Sequence, residues 1–355
     1  MNILLLRLRL IGDVVFTTPL IGALRRAYPG ARLVYVVEPA AAAIVSGHPD
    51  LDEVLVAPRR RGWRRVMDDI ALARRLRRER FDLVLDLHGG PRSAWLTWAS
   101  RAKERIGYDI TGRGWMYTRI APRARDLRPR HSVENQWDIL DAIPGWAGGR
   151  PDRARDRITI ALDAAADARI HDRLARAGIE DADELVMMHV SAGNPFRRWP
   201  EEFFAETAAA LARGGPRRRI VFSSGPSDRE AAARIAREAR ARLGPSAHRI
   251  VELGEFDLQE LRSLVGRSRL FVGGDTGPLH IAAATDTPVV GIYGPTLAAR
   301  SAPWRPSSIP TMSIEQTDLA CRPCDQRQCA PGDFRCLTQL APAAVIAAAE
   351  QVLAS

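Results

Sequence analysis

Hydrophobic positions along the chain form two alternating patterns, short continuous apolar runs and longer stretches with apolar residues at helical spacing. Continuous runs are typical of strands buried on both faces, and apolar positions three or four residues apart are typical of helices packed on one side. The predicted strands lie at 2–8, 32–37, 53–57, 82–87, 185–190, 219–223, 250–253, 270–272 and 288–292. The predicted helices lie at 13–26, 64–79, 92–98, 131–143, 201–213, 228–242, 258–266, 278–285 and 342–353.

The order of these elements predicts an α/β fold in two parts. Each part alternates strands with helices, which favours a parallel sheet covered on both faces. The stretch at 144–157 is rich in Gly, Pro, Arg and Asp, lacks an apolar period and is typical of a linker. We therefore predict two Rossmann-like, doubly wound parallel-sheet domains facing across a cleft, at 1–155 and 156–340. A C-terminal helix at 341–355 could cross back to the first domain.

Length and composition are those of a globular chain. Its 355 residues are 46% hydrophobic, which is enough for a large core. No uncharged apolar run is long enough for a transmembrane helix. Arg7 and Arg9 interrupt the first apolar stretch, which favours a strand over a signal peptide. We expect a cytoplasmic protein.

The formal charge of +10 is compatible with nucleic acid, an anionic membrane or an acidic substrate as partner. Lys103 is the only lysine among the 52 basic residues, so 51 of them are arginine. This skew, beside abundant Ala, Gly and Pro, is more typical of coding bias than of a selected basic patch. We expect no nucleic-acid partner, and an arginine-rich nucleic-acid-binding protein stays as an alternative of a different class.

A glycine-rich turn joins the apolar run at 270–272 to the helix at 278–285. Pro278 suits a first helical position, and Thr276 or Gly277 would be the cap, so free backbone N–H groups would face a ligand there. The turn therefore predicts a phosphate site. Asp275 and His280 flank it and could reach one ligand, although each also has an ordinary structural role as a turn residue or a packed helical histidine.

Asp13 follows the first predicted strand. The segment around it has one glycine where a dinucleotide fingerprint needs three, which argues against a nicotinamide oxidoreductase. Asp13 is either a helix cap or a general base. In the second half, Arg197 and Arg198 follow a predicted strand and either clamp a diphosphate or lie in solvent.

Four cysteines, at positions 321, 324, 329 and 336, lie close together near the C-terminus. Clustered cysteines in a cytosolic chain favour a thiolate metal site or a redox role. The spacing is not that of a standard zinc ribbon. Reduced thiols or a disulfide-bonded loop are the alternatives.

Three segments in this order resemble glycosyltransferase family 9, the ADP-heptose:lipopolysaccharide heptosyltransferases and their relatives. They are LRLIGDVVFTTPLIGALRRAYPGARLVYVVEP, SAGNPFRRWPEEFFAE and GGDTGPLHIAAATDTPVVGIYGPT. The resemblance implies a GT-B fold, with the acceptor bound by the first domain and the nucleotide sugar by the second. It also implies an inverting transfer that needs no metal or other cofactor for catalysis.

The resemblance assigns roles to individual residues. It implies that Asp13 is the base that deprotonates the acceptor hydroxyl. It places the donor's diphosphate and sugar at Asp275, Thr276, Gly277 and His280, on the motif D-T-G-x-x-H, and places Ser191 and Arg197 beside the phosphates. Arg197 stands where lysine is common in the family, which leaves the sugar open.

Further expectations rest on the same resemblance. Asp228 would contact the ribose, with Glu230 as the competing residue. A cluster of arginines would bind an acidic glycolipid acceptor at the inner membrane surface, or form a solvated basic face. The cluster comprises the arginines at 59–61, 64 and 65, and the main candidates are Arg60, Arg61 and Arg64. Cysteine clusters near the C-terminus also occur in some members resembling this family. The alternatives for Cys321, Cys324, Cys329 and Cys336 are bound zinc, an iron–sulfur cluster, a disulfide or free thiols.

The expected reaction is transfer of a heptose from ADP-heptose to a lipopolysaccharide inner core or a related cell-envelope glycolipid. Another nucleotide sugar with a non-lipopolysaccharide glycan acceptor is the alternative of the same class. A catalytically idle GT-B binding module is a third alternative. The expected location is the cytoplasm, with peripheral attachment to the inner membrane.

Overall fold

The computed structural model describes residues 1–123, 130–190 and 194–354. The chain divides into two compact units, Met1–Ala161 and Leu162–Ser355. The division therefore falls a few residues beyond the predicted boundary after residue 155.

The first unit is built on a parallel sheet of six strands. The strands are β1 (Asn2–Leu6), β2 (Arg32–Val37), β3 (Glu53–Val56), β4 (Leu83–Asp86), β5 (Glu104–Tyr108) and β6 (Arg119–Ala121), in the spatial order β3-β2-β1-β4-β5-β6. The helices are α1 (Ile11–Val15), α2 (Thr18–Ala27), α3 (Pro39–Val45), α4 (Gly62–Arg78), α5 (Pro91–Ala99) and α6 (Ser132–Asp141). The central strands β1, β2 and β4 are almost wholly buried, as their continuous apolar runs predict.

The second unit repeats this topology. Its strands are β7 (Glu184–His189), β8 (Arg218–Ser223), β9 (Ile250–Val251), β10 (Leu270–Gly274), β11 (Val289–Tyr293) and β12 (Thr311–Glu315), in the order β12-β11-β10-β7-β8-β9. The helices are α7 (Ala164–Arg176), α8 (Glu201–Arg213), α9 (Arg229–Leu243), α10 (Leu258–Gly266), α11 (Gly277–Ala282), α12 (Ala298–Ser301), α13 (Arg335–Thr338) and α14 (Pro342–Leu353). Among the described residues all the strand pairs of both sheets are parallel, so the predicted α/β class is confirmed for both units.

In each sheet the strand order reverses between the first and fourth strands, β1 and β4 in one unit and β7 and β10 in the other. Loops leaving neighbouring strands at this point run in opposite directions and open a crevice at the carboxyl edge. Ligands of open α/β sheets bind at this position. We therefore expect the ligand-binding residues in the segments that follow these four strands.

The single helix predicted at 13–26 is wrong, because the structure has two short helices, α1 and α2, in that stretch. Pro19 lies in the first turn of α2, where its missing N–H costs nothing. Inside a continuous helix the same ring would clash with the preceding turn. The hydroxyls of Thr17 and Thr18 donate to the carbonyls of Val14 and Val15, which satisfies the acceptors at the break.

The C-terminal helix α14, which the sequence allowed to cross back to the first domain, is part of the second unit. Val345 and Ala349 on it are fully buried in the core formed with α8, β10 and β11. Within the described residues, no helix combines the length and the apolar character that crossing a membrane requires.

Candidate active site

The site in the second unit forms where the loops after β7 and β10 leave the sheet. His189 at the end of β7 is paired in register with Gly273 of β10. After β7 the chain forms a 3-10 turn at Pro195–Arg197, and after β10 it turns at Asp275 into α11. The strand register therefore brings Arg197 next to Asp275, although 77 intervening residues separate them in sequence.

Arg197 and Asp275 form a partly buried ion pair. Nη1 of Arg197 lies 3.2 Å from Oδ2 of Asp275 and also donates to its backbone oxygen at 2.8 Å. The hydroxyl of Thr296 donates to the same Oδ2, and Nε2 of His280 lies 3.5 Å from Oδ1. The structure thus brings together three residues that the sequence singled out, Asp275, His280 and Arg197, and adds Thr296, which it did not.

The turn after Asp275 has one of the two predicted caps, and its helix begins one residue before the predicted Pro278. Thr276 is the N-cap of α11, with an extended backbone, and Gly277 is the first helical residue. The Thr276 hydroxyl lies 3.3 Å from the Gly274 carbonyl and makes no side-chain cap. The first-turn N–H groups of α11 therefore lack a side-chain acceptor from the cap residue, which suits an anion.

The loop between β12 and α13, residues 316–334, supplies a contact that the sequence did not reveal. Oε1 of Gln326 accepts hydrogen bonds from Nε of Arg197 and from Nδ2 of Asn194, both at 2.8 Å. Gln326 is 129 positions from Arg197, so no local pattern could have indicated the pairing.

Arg198 and Asp228 form a second pair, so the two neighbouring arginines serve different carboxylates. Nη2 of Arg198 lies 2.9 Å from Oδ1 of Asp228, and Ser227 donates to Oδ2 at 3.1 Å. Asp228 is buried and ends the 3-10 turn before α9, whereas the competing Glu230 is exposed. Ser224 and Arg229, on either side of this turn, line a cavity of about 540 Å³ between β8, β9 and α9.

The cavity wall is mainly apolar, with Phe222, Val251 and Leu253 among its lining residues. Such a surface suits a flat heteroaromatic ring. His189, the buried end of β7, is not part of this wall. Burial lowers the pKa of His189 to about 4, and its Nδ1 lies 2.9 Å from the Ser223 hydroxyl, so it is a neutral packing residue. Ser191, a predicted phosphate contact, lies outside the described residues.

In the first unit Asp13 lies after β1, at the corresponding reversal of strand order. Asp13 is the third residue of α1, whose N-cap is Leu10, so the cap interpretation of Asp13 is wrong. Its carboxylate pairs with Nη2 of Arg7, and Nη1 of Arg7 donates to the Leu87 carbonyl after β4. Arg7 therefore ties Asp13 to the loop of the neighbouring strand.

His88, which sequence reasoning did not single out, follows β4. Burial, together with the positive charges of Arg7 and Arg9, lowers the pKa of His88 to about 4. The buried Asp86, two residues before His88, accepts hydrogen bonds from the Gly89 N–H and the Tyr117 hydroxyl. Burial raises the pKa of Asp86 above its ordinary value even though these hydrogen bonds oppose the shift.

The arginine cluster borders a second cavity in the first unit, of about 650 Å³. Arg60 and Arg61 line it together with His88, Arg92 and Glu38. Arg64, predicted with them, is absent from this lining, and its guanidinium carbon lies 5.9 Å from the Trp63 ring centroid. An acidic ligand in this cavity would meet several guanidinium groups and a neutral histidine.

Each unit has an ion pair near the point where its strand order reverses, Arg7–Asp13 in the first and Arg197–Asp275 in the second. The two pairs differ in which partner is exposed to solvent. In the first unit the Asp13 side chain is 40% exposed and its partner Arg7 only 13%. In the second unit the Arg197 side chain is 29% exposed and its partner Asp275 only 3%. The first site therefore presents a carboxylate, which can accept a proton, and the second presents a guanidinium, which can hold an anion.

The four cysteines line one small cavity of about 120 Å³ beside Phe196 and Phe334. All four are free thiols, and burial raises the pKa of Cys336 above its ordinary value. In the part of the chain that the structure describes, no group of three or more His, Cys, Asp or Glu side chains is arranged to hold a metal ion.

Two doubly wound parallel-sheet units, each with an ion pair where its strand order reverses, define the architecture as that of a two-domain α/β enzyme. Residues 70–333 match the family described as glycosyltransferase family 9 (heptosyltransferase). The match covers more than half of the chain, and the chain belongs to this family. It is thus a glycosyltransferase, as its resemblance implied.

The chain is similar over most of its length to curated members of the family. It is 27% identical over 341 residues to lipopolysaccharide heptosyltransferase 1 of Pseudomonas aeruginosa, covering 93% of this chain and 87% of that protein. It is 26% identical over 356 residues to lipopolysaccharide heptosyltransferase 3 of Escherichia coli, covering 98% of each.

Solved structures share the fold. The glycosyl transferase family 9 structure from Veillonella parvula superposes with a TM-score of 0.82 at 22% identity, over 99% of this chain and 97% of that one. The E. coli ADP-heptose lps heptosyltransferase II superposes with a TM-score of 0.78 at 18% identity, over 100% and 99%. These likenesses confirm the predicted GT-B class of two Rossmann-like units.

Proposed function

We propose that this glycosyltransferase transfers a heptose from ADP-heptose to a lipopolysaccharide inner core or a related acidic glycolipid, with inversion and without a catalytic metal. The observation that carries the proposal is the opposite exposure of the two ion pairs, a carboxylate at Asp13 and a guanidinium at Arg197. The curated relatives named above are lipopolysaccharide heptosyltransferases, which supports this donor and acceptor.

In the proposed reaction, Asp13 removes the proton of the acceptor hydroxyl. The oxygen then attacks the anomeric carbon from the face opposite the diphosphate, the glycosidic bond forms and the bond to the diphosphate breaks. One displacement inverts the anomeric configuration. Arg197 and the N–H groups at the start of α11 stabilise the charge of the leaving ADP, which is the role a divalent metal would otherwise have.

Arg7 and Asp275 are the supporting partners in this mechanism. The guanidinium of Arg7 pairs with the Asp13 carboxylate and fixes its position. Asp275 holds Arg197 in place with its carboxylate and its backbone oxygen. We assign the adenine to the 540 Å³ cavity beside α9, with Asp228 nearest the ribose.

We assign the acceptor's acidic groups to the cavity lined by Arg60 and Arg61. Trp63, Val66 and Met67 beside it are large hydrophobic residues with 71%, 57% and 53% of their surface exposed. Exposed apolar residues among arginines are typical of a surface that lies against anionic lipid. We therefore propose that the protein works at the membrane surface from the cytoplasmic side.

The donor is tested by a thermal-shift screen against ADP-, GDP-, UDP- and dTDP-sugars, because a ligand that binds only the folded state raises the unfolding temperature. ADP-heptose should give the largest shift. Transfer is then assayed with the Asp13→Asn variant, which keeps the size of the side chain and removes the base. We expect kcat to fall by about 10²- to 10⁴-fold.

Two results would contradict the proposal. One is near-normal transfer by a folded Asp13→Asn variant, and the other is a product with retained anomeric configuration by NMR. Acceptor binding is tested separately with Arg60→Ser and Arg61→Ser, which should raise the acceptor KM. Arg77→Ser, an equal charge change at the exposed far end of α4, is the control.

For the cysteine cluster we propose a structural zinc ion or iron–sulfur cluster held by Cys321, Cys324, Cys329 and Cys336. Thiolates bind both, and the four side chains line one cavity. Their arrangement in this structure does not form such a site, so they would have to turn towards a common centre. Stoichiometric zinc or iron by elemental analysis would support the assignment. Metal-free protein with four titratable thiols would contradict it.

A further inference from the structure

The loop at 316–334, which we call the cysteine loop, contacts the anion-binding arginine of the second unit directly. Gln326 lies in the loop between Cys324 and Cys329, and its Oε1 accepts from Nε of Arg197 and from Nδ2 of Asn194. These two donors converge on one oxygen at 2.8 Å each. The amide of Gln326 therefore fixes one edge of the Arg197 guanidinium.

Of the two remaining nitrogens of the Arg197 guanidinium, one contacts the protein and the other is available to a ligand. Nη1 is held by the backbone oxygen and the carboxylate of Asp275. Among the described residues, Nη2 has no hydrogen-bond partner and is the group left to meet an anion. A planar guanidinium held at Nε and Nη1 cannot rotate, so its third nitrogen keeps one orientation.

The cysteine loop also supports the other half of the ion pair. Arg322, whose side chain is only 3% exposed, donates from Nη2 to the Thr296 carbonyl at 2.7 Å and pairs with Glu315 at 2.6 Å. The Cys324 N–H donates to the Pro295 carbonyl at 3.2 Å. Thr296 in turn donates to the Asp275 carboxylate. The loop thus contacts Arg197 directly and supports Asp275 through Thr296.

The backbone at Gln326 supports a specific role for this residue. Its φ angle is +59°, in the left-handed region that disfavours residues with a side chain and that glycine or asparagine adopt most readily. Residues held in such conformations cluster at ligand-binding sites, where surrounding contacts maintain them. Here the surrounding contacts are the two hydrogen bonds to Oε1.

We infer that Gln326 is a positioning residue for donor binding: it orients Arg197 so that the guanidinium meets the diphosphate of the nucleotide sugar. The inference rests on the proposed function, since it takes that diphosphate as the anion. It makes the cysteine loop part of the donor site, through an amide located between the second and third cysteines.

The test is a double-mutant cycle on ligand affinity, with ADP and inorganic diphosphate as the probes and calorimetry as the measurement. Gln326→Ala should weaken ADP binding by about tenfold, since it removes a hydrogen bond to a charged group. In the Arg197→Ala background the same change should have almost no further effect, because the amide acts through the arginine. Gln328→Ala is the matched control, an exposed glutamine of the same loop.

A second variant separates the side chain from the backbone. Gln326→Asn suits the left-handed conformation better than glutamine but is one methylene too short to reach Arg197. It should therefore bind ADP as weakly as Gln326→Ala does. Recovery of wild-type affinity in Gln326→Asn would show that only the backbone matters and would overturn the inference.

Other outcomes are equally distinct. Equal losses from Gln326→Ala in the wild-type and Arg197→Ala backgrounds, or unchanged affinity in Gln326→Ala, would also overturn the inference. In steady-state transfer the variant should raise the donor KM with a smaller change in kcat. If the unaltered protein binds no nucleotide sugar, the proposed function fails instead, which is a separate result.

Discussion

Replacing Arg197 by lysine tests whether the forked guanidinium is required at this position. Arg197 donates from two different nitrogens, Nε to Gln326 and Nη1 to Asp275. Lysine keeps the charge, but its single ammonium nitrogen cannot occupy the positions of both Nε and Nη1, so it cannot meet the two acceptors in their present geometry. At least one hydrogen bond to a charged group is then lost, which costs about 1.5–3 kcal/mol.

Since about 1.4 kcal/mol corresponds to tenfold in affinity, Arg197→Lys should weaken ADP binding by about 10- to 100-fold. Titration calorimetry at fixed ionic strength measures this directly. Arg234→Lys, at an exposed pair with Glu201, should leave affinity unchanged. If Arg197→Lys binds ADP as tightly as the unaltered protein, the argument that a forked donor is needed here is refuted.

Three further predictions concern stability. Gly107→Ala would place a methyl group 2.3 Å from the Tyr117 ring. It should lower the free energy of unfolding, measured by urea titration, by about 1–3 kcal/mol. Gly30→Ala, where the added methyl group would have nothing within 4 Å, is the control and should be neutral. Burial lowers the pKa of His189 from 6.5 in the unfolded chain to about 4 in the folded protein, so the unfolded state binds more protons between these two pH values. The free energy of unfolding should therefore fall as the pH drops through this window, by about 3 kcal/mol at most. His189→Asn should flatten this part of the pH profile. Val345→Ala, which empties a fully buried position of α14, should cost about 1–3 kcal/mol in the same titrations.

The sequence predicted many of the elements with a strong apolar pattern, but it missed the helix Ala164–Arg176 and the strand Glu104–Tyr108. Glu201–Arg213, Leu258–Gly266 and Pro342–Leu353 were predicted with the bounds that the structure has. The strand Thr311–Glu315 was missed because none of its positions is fully buried, so it carries no continuous apolar run. The strand Arg119–Ala121 was missed for a similar reason, since only one of its three residues is buried. Edge strands lack a neighbour on one side and need less apolar surface.

At the candidate site, local sequence signals found residues in the segments that follow strands. Asp13, Asp275 and Arg197 are of this kind, and their assigned roles stay predictions. Gln326 and Thr296 gave no signal, because their importance comes from contacts with residues far away in sequence. A glutamine in an irregular loop is indistinguishable from any solvated residue until the fold places it beside an arginine.

The chain has a net charge of +10, and the structure shows that its arginines serve two different purposes. Arg92 and Arg218 are largely buried and each bridges two carboxylates, Glu38 and Asp69 for one and Glu184 and Glu350 for the other. Such residues crosslink elements of the fold, and their charge is compensated locally. They add to the net charge of the chain without creating a field that a polyanion could follow.

The arginines near the start of α4 are different. Arg59, Arg60 and Arg65 have 64%, 61% and 53% of their side chains exposed, and their ion-pair distances of 3.4–3.7 Å are those of loose surface contacts. The exposed Trp63 lies among them. Positive charge concentrated on one apolar patch orients that patch towards an anionic surface, whereas the same charge spread evenly over the protein would not. This local imbalance, more than the total of +10, supports the proposed acidic lipid acceptor over a nucleic-acid partner.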